Sequence, residues 1–314
     1  LHVRSRRQRQ MCIRDSDSVN NRIKPLAEDI LVYPGHGAGS ACGKNMMKET
    51  VDTLANQKSV NYALNGSLSK EGFVKELTDH LPEPPTYFPS NVKLNQEGYI
   101  DFDIVLERSL NPLSITEFKY LSKEDKTVIL DVRSQDLFRL GYVPGSIFIG
   151  LNGSFAPWVG AIIKDISTKI LLVCDKGTEN QAIMRLSRVG FDNVKGYLKG
   201  GFEVWKKSNQ TINSIESISP TNLKKIISSK ISLIDVRTKN ERNKGCLKTS
   251  QNIPLNIIDL NTKKLNKSTD HYIHCAGGYR SMIACSILKR LGFDSLLDIS
   301  GGFAEIRNAG FKIH

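Results

Sequence analysis

The sequence predicts an α/β protein: two tandem copies of one parallel-sheet domain, preceded by a shorter and different α/β segment. Three observations carry this. A short apolar run ending in Asp-Val-Arg occurs twice, Val128–Arg133 and Ser232–Arg237, with Asp131 and Asp235 104 residues apart and a glycine ten residues after each, Gly141 and Gly245. Cys174 and Cys275 lie 101 residues apart, as do Gly200-Gly201-Phe202 and Gly301-Gly302-Phe303, and each cysteine precedes its glycine pair by 26 residues. Anchors that recur in one order with a single three-residue gap mark an internal repeat. Within each copy, apolar strand signals alternate with helical ones, as in a parallel sheet.

Composition sets the limits. A chain of 314 residues has room for two or three domains. With 39% hydrophobic and 24% charged residues it has ordinary globular composition, which excludes collagen, coiled coil and wholesale disorder. No run of about 18 uncharged apolar residues occurs, so no helical membrane span is expected. The net charge of +12 is partly local, since residues 1–22 hold six Arg and two Asp. The rest is spread thinly, without basic runs or interleaved aromatics. That suits a solvated surface and a small anionic substrate, and neither nucleic acid nor membrane is expected as a partner. Six cysteines without a C-x-x-C pair are too sparse for a disulfide scaffold or a thiolate zinc site. With no apolar leader near the start, a reducing cytoplasm is the expected compartment.

The elements follow in order. Residues 1–22 begin LHVRSRRQRQMCIRDS, show no helical or strand period, and resemble translated sequencing-adaptor sequence. They are expected to be disordered and foreign to the fold. Residues 23–111 form the upstream segment. Ile30–Tyr33 reads as a strand, Pro34–Ser40 as a glycine-rich loop, and Asn45–Asn56 and Glu71–Asp79 as helices before the Pro-rich Leu81–Pro89. One strand and two helices enclose little core, so this segment is expected to be the end of a domain whose beginning is missing.

Copy one covers 112–208. Its strands are Val128–Asp131, Ile170–Cys174 and Val194–Tyr197, with a helix over Gln181–Val189 closed by Gly190. The polar stretch Ser208–Ser217 reads as a linker. Copy two covers 218–314, with strands Leu233–Asp235, Tyr272–Cys275 and Leu296–Ile299. Its helix Ser281–Leu291 ends at Gly292.

The chemistry is concentrated at Cys275. The loop His274-Cys275-Ala276-Gly277-Gly278-Tyr279-Arg280-Ser281 joins a strand to a helix start. Glycines let backbone N–H groups turn inward, and the helix start adds free donors and a positive dipole end. Arg280 adds a planar cation. The same field favours the thiolate, the nucleophilic form of cysteine. A thiolate in an anion cradle fits either sulfur transfer or phosphate-ester hydrolysis. His274 ends a strand, so its side chain points to the opposite face and is expected to be a satisfied core or surface histidine rather than a base.

Cys275 and Arg280 are separated by four residues, and this loop resembles that of the rhodanese family of sulfurtransferases. The Asp-Val-Arg strand and the Gly-Gly-Phe turn resemble it too. Tyrosine phosphatases and related rhodanese-fold enzymes carry five intervening residues, a cradle wide enough for phosphate. The resemblance implies that Cys275 is the nucleophile and sulfur carrier and that Arg280 orients an anionic donor. Ala276, Gly277, Gly278, Tyr279, Arg280 and Ser281 would hold the charged sulfur through their backbone, with Ser281 also capping the helix. Donors would be thiosulfate or low-molecular-weight persulfides, and acceptors a thiol, sulfite or cyanide. Copy one departs from the pattern. Its loop keeps Cys174 and Gly177, but Glu179 replaces the arginine and Asp175 adds a second negative charge. Two carboxylates repel an anion and raise the thiol pKa, so copy one is expected to be a degenerate, structural domain.

Upstream, Tyr33-Pro34-Gly35-His36-Gly37-Ala38-Gly39-Ser40 followed by Cys42-Gly43-Lys44 resembles the C-terminal part of a metallo-β-lactamase (αββα) fold, as do Phe73, Pro85, Tyr87-Phe88 and Asn95–Gly98. The match is to persulfide dioxygenases fused to rhodanese repeats. That resemblance implies Fe(II) in a longer parent. It implies no metal and no dioxygenase activity here, because the family's H-x-H-x-D-H segment is missing from a sequence whose histidines stand at 2, 36, 80, 271, 274 and 314. Two further readings remain open: a phosphatase or arsenate reductase on the same fold, and a non-catalytic sulfur carrier or docking module. A homo-oligomer is compatible with all of them.

Overall fold

A computed structural model describes residues 2–35, 49–78, 87–227 and 231–314. The chain divides into two compact units, 1–83 and 84–314.

The first unit opens with helix α1 (His2–Ser18), which continues as a wider π turn over Val19–Ile23. The expectation of disorder for 1–22 is corrected here. The segment has no Gly or Pro before Pro25 and is rich in helix-forming Arg and Gln. Over residues 9–18 the buried side chains are Cys12 and Ser16, one turn apart, which gives no apolar period to detect. Asp17 pairs with Lys70 at 2.8 Å, tying α1 to a later helix. The expected strand narrows to β1 (Leu31–Val32), antiparallel to β2 (Asp52–Thr53). Of the helix expected over Asn45–Asn56, residues 45–48 lie outside the described residues, 49–53 are not helical, and α2 (Leu54–Val60) begins at Leu54. Thr53 stops it from starting earlier: its hydroxyl caps the Asn56 N–H at 3.2 Å. Helix α3 (Lys70–Thr78) matches the second expected helix. His36, Cys42 and most of the glycine-rich and Pro-rich stretches lie outside the described residues.

The second unit begins with α4 (Phe88–Glu97) and α5 (Phe102–Ser109). Their residues fall within the 23–111 stretch expected upstream, and in the structure they pack on copy one. Arg108 donates to the Asp192 carbonyl at 2.9 Å, and Tyr87 lies so close to Gly160 that a Cβ there would meet its ring at 1.8 Å. Copy one then runs β3 (Pro112–Leu113), α6 (Ile115–Leu121), β4 (Thr127–Asp131), α7 (Gln135–Leu140), β5 (Ile147–Phe148), α8 (Phe155–Ile162), β6 (Lys169–Val173), α9 (Glu179–Ser187), β7 (Val194–Leu198) and α10 (Gly201–Lys207). Copy two runs β8 (Glu216–Ile218), α11 (Pro220–Ile226), β9 (Ser232–Asp235), α12 (Lys239–Asn243), β10 (Gln251–Asn252), β11 (His271–His274), α13 (Tyr279–Arg290), β12 (Leu296–Ile299) and α14 (Gly302–Asn308). The sheets have one topology, β3-β7-β6-β4-β5 and β8-β12-β11-β9-β10, parallel throughout. Every strand named from the sequence is present within a residue or two.

The repeated anchors form one structural device. Arg133 grips Asp131 at 2.7 Å, donates to the Gly141 carbonyl at 2.8 Å, and lies 4.2 Å from the Phe202 ring centre. Arg237 does the same with Asp235 (2.7 Å), Gly245 (2.9 Å) and Phe303 (3.7 Å). In each buried pair both carboxylate oxygens accept hydrogen bonds from the arginine, which offsets part of the cost of burying the charges. The supposed linker is tied down as well. Asn213 bridges Tyr142, the Trp205 indole donates to the Thr211 carbonyl at 2.9 Å, and Ile215 is buried.

Helix α13 is buried from Ser281 through Leu288 because both copies cover it. Of its two buried serines, Ser286 accepts the Phe148 N–H of copy one at 3.0 Å, and further along the helix Arg290 donates to the Gly145 carbonyl at 3.1 Å. The two copies therefore share a core.

Candidate active site

Cys275 follows the C-terminal end of β11, the central strand of its sheet, and α13 starts four residues later. The turn between them is held from beneath by the Gly-Gly-Phe segment. Phe303 N–H donates to the Cys275 carbonyl at 2.7 Å and Ala304 N–H to the Ala276 carbonyl at 3.1 Å. Cys275 is 1% exposed, and its Sγ accepts the Gly278 N–H at 3.1 Å. Ser281 brings its hydroxyl to 3.7 Å from the same sulfur. Ser281 does not cap the helix, however. The cap position is Gly278, and the Ser281 hydroxyl lies inside the first turn and donates back to the Gly278 carbonyl at 2.8 Å. Ala276 and Gly277 are exposed at the mouth of the loop.

Arg280 has a partner that the sequence reading missed. Its guanidinium forms a two-point ion pair with Glu241, Nη1 to Oε2 at 2.7 Å and Nη2 to Oε1 at 2.6 Å. Glu241 also closes a capping box with Thr238, so α12 fixes its carboxylate before Arg280 arrives. Its hydrogen bonds, that from Arg280 foremost, hold the Glu241 carboxyl down to about 2. The Thr-x-x-Glu spacing was the available signal. Tyr279 departs from expectation in its side chain, which reaches into copy one and donates to the Gly150 carbonyl at 2.7 Å.

Cys275 opens into a cleft of about 540 Å³ between the copies. Gly277, Tyr279 and Arg280 line one side, and Gln135, Asp136, Asn152 and Trp158 of copy one line the other. None of the copy-one residues carried a sequence signal, since they join the site only through the shared core.

His274 is fully buried on the core side of the strand, with its Nε2 lacking a hydrogen-bond partner among the described residues. It stacks on Phe303, and its Nδ1 lies 4.0 Å from Asp235. Burial pushes its pKa down to about 4, so near neutral pH the ring is uncharged and faces away from the cleft. In copy one, Glu179 turns its carboxylate onto the Gly177 N–H at 2.8 Å, filling the cradle from within. Burial first, then Glu179, Asp131 and Asp175, push the Cys174 thiol well above its ordinary value. The expected direction is correct, but burial outweighs the carboxylates. Among the described residues no three His, Cys, Asp or Glu side chains converge to hold a metal. Among them, too, no helix is long and apolar enough to cross a membrane.

A rhodanese-like domain model matches residues 114–208 and again 219–309. The chain belongs to the rhodanese family. It is similar to a sulfurtransferase of Allochromatium vinosum, 30% identical over 81 residues that cover 26% of this chain and 76% of the relative. It is also similar to thiosulfate sulfurtransferase GlpE of Pseudoalteromonas translucida, 30% identical over 95 residues, 30% of this chain and 87% of that one. Among solved structures, a metallo-beta-lactamase from Staphylococcus aureus is 24% identical with a TM-score of 0.48, over 61% of this chain and 51% of that one. Each rhodanese match covers all of its sheet but the first strand, β3 or β8, which ends just before the match begins, and the second match contains the Cys275 loop.

Proposed function

We propose that this rhodanese is a sulfurtransferase that carries sulfane sulfur on Cys275. The observation that carries the reading is the Gly278 N–H aimed at Cys275 Sγ at 3.1 Å, at the start of α13 and facing an open cleft. That donor stabilises negative charge on whichever sulfur occupies the position. In the first step the Cys275 thiolate attacks the outer sulfur of thiosulfate. A new S–S bond forms, the old one breaks, and sulfite leaves with the electron pair. In the second step a thiolate, sulfite or cyanide attacks the terminal sulfur of the persulfide, and the Cys275 thiolate departs. Neither step changes the overall oxidation balance, and neither needs a cofactor. Low-molecular-weight persulfides serve as donors in the same way, with a thiolate as leaving group.

Arg280 orients the donor while shared with Glu241. Copy one contributes structure and one wall of the cleft, because Glu179 occupies its own cradle. The upstream unit is read as the remnant of a lactamase-fold domain. The parent would be a cytoplasmic persulfide dioxygenase fusion carrying Fe(II), in which sulfur handling follows oxidation.

The deciding experiment is intact-protein mass after thiosulfate treatment. A gain of one sulfur that is lost in Cys275→Ser and kept in Cys174→Ser supports the reading. A gain lost only in Cys174→Ser would reverse the roles of the copies. No gain in any protein, together with turnover of an aryl phosphate, would replace sulfur transfer with phosphate chemistry.

A further inference from the structure

Tyr279 lies inside the sulfur-carrying loop, between Gly278, whose N–H meets Cys275, and Arg280. Its side chain nevertheless belongs to copy one. The phenol donates to the Gly150 carbonyl at 2.7 Å, and the ring meets Phe148 edge-on with centres 5.6 Å apart. The turn at Gly153 closes over the ring so tightly that a Cβ there would lie 2.3 Å from it. The turn is itself braced, since Arg185 of α9 donates to the Leu151 carbonyl and stacks on Phe155 at 5.1 Å. Burial pushes the Tyr279 phenol far up, so it remains a donor throughout the working range. Copy one has Thr178 at the matching place in its own loop, too short for such a reach.

We propose that Tyr279 is a positioning residue: its anchorage in the Gly150–Gly153 turn of copy one holds the copy-two loop closed on Cys275. Copy one, degenerate in its own loop, thereby sets the geometry of the active one. A loop anchored at its centre keeps the Gly278 N–H and the Arg280 guanidinium in register with the sulfur. Displacements of about 1 Å at such a site cost up to about a hundredfold in rate. The consequence for turnover rests on the reading of Cys275 as sulfur carrier, whereas the anchorage does not.

The test uses the full chain with Tyr279→Ala, Tyr279→Phe and Gly153→Ala, which disturb the contact from both sides. Iodoacetamide labelling is followed at each cysteine by peptide mass mapping. Tyr279→Ala and Gly153→Ala should label Cys275 about tenfold faster, with Tyr279→Phe in between and the buried Cys174 and Cys285 still protected. In sulfur loading from thiosulfate, kcat should fall about tenfold with KM within about twofold, the split expected when geometry rather than binding is lost. The double variant should be no worse than the poorer single one, because both remove one contact. Wild-type labelling and wild-type kcat in all three variants would overturn the proposal. So would Cys174 and Cys285 reacting in step with Cys275 in every variant, Tyr279→Phe included, which would reduce the contact to global stability. If the wild type takes up no sulfur at all, the functional reading fails while the labelling series still decides the anchorage.

Discussion

Arg280 and Glu241 face each other through two hydrogen bonds, 2.7 and 2.6 Å, across the rim of the cleft that holds Cys275. The one guanidinium in the C-x-x-x-x-R loop is thus already engaged before any donor arrives. An anionic donor must share Arg280 with a carboxylate that stays ionised far into acid, since that pairing holds Glu241 down to about 2.

Glu241→Gln should split the kinetic constants. Without the competing carboxylate, thiosulfate binds Arg280 more readily and KM falls, by about threefold for a half-exposed ion pair. Without the fixed fork, Arg280 is less well oriented and kcat falls as well. Steady-state sulfur transfer to cyanide measures both, and a rise in KM would contradict the account.

Asp298 and His274 are buried titratable groups with opposing pH dependence. Burial raises Asp298 to about 6, so its contribution to stability is full below about 4 and is lost as pH rises through 6. Burial lowers His274 to about 4, so its contribution is full above about 6.5 and is lost as pH falls towards 4. Asp298→Asn should therefore stabilise the protein at pH 7.5, by about 2 kcal/mol on the linkage scale, and add little at pH 4. With the offset gone, the loss of stability between pH 6.5 and 4 should be steeper. Urea unfolding across that range is the measurement.

Cys174 should be slow for two separable reasons. Glu179→Gln removes the negative charge beside it but leaves its burial. The midpoint of its alkylation profile should move to lower pH, while its maximal rate stays far below that of Cys275. Equal rates at the two cysteines would mean that charge alone had silenced copy one.

Ser286→Val tests the shared core. The substitution strands the buried Phe148 N–H, which has a 3.0 Å bond to the Ser286 hydroxyl. An unpaired buried donor costs about 1–3 kcal/mol, and thermal unfolding should drop by several degrees. The two sheets should still melt together, because α13 belongs to the core of both.

Much of the fold was legible. Short apolar runs ending at Asp131, Asp235, Cys174 and Cys275 name buried parallel strands directly, because such strands carry their signal locally. The Cys275 loop was legible for the same reason: the sulfur and the Gly278 N–H that meets it lie three residues apart. The structural use of Arg133 and Arg237 was not, since each stacks on a phenylalanine more than sixty residues away. Helix α1 escaped notice because Cys12 and Ser16 are too small and polar to mark a buried face.

The sequence by itself determined that there are two copies, that their strands run in one order, and that only the second keeps both Cys and Arg in its loop. These follow from local periodicity and spacing, which a chain carries wherever it folds. The tertiary structure decided the rest: that Arg280 meets Glu241, that Glu179 fills the cradle of copy one, and that Tyr279 is held by Gly150 and Gly153. The Arg280 pair joins α12 and α13 within copy two, and the Tyr279 contact joins the two copies where their sheets pack around α13; such side-chain partners are set by the shape of the packed core rather than by distance along the chain.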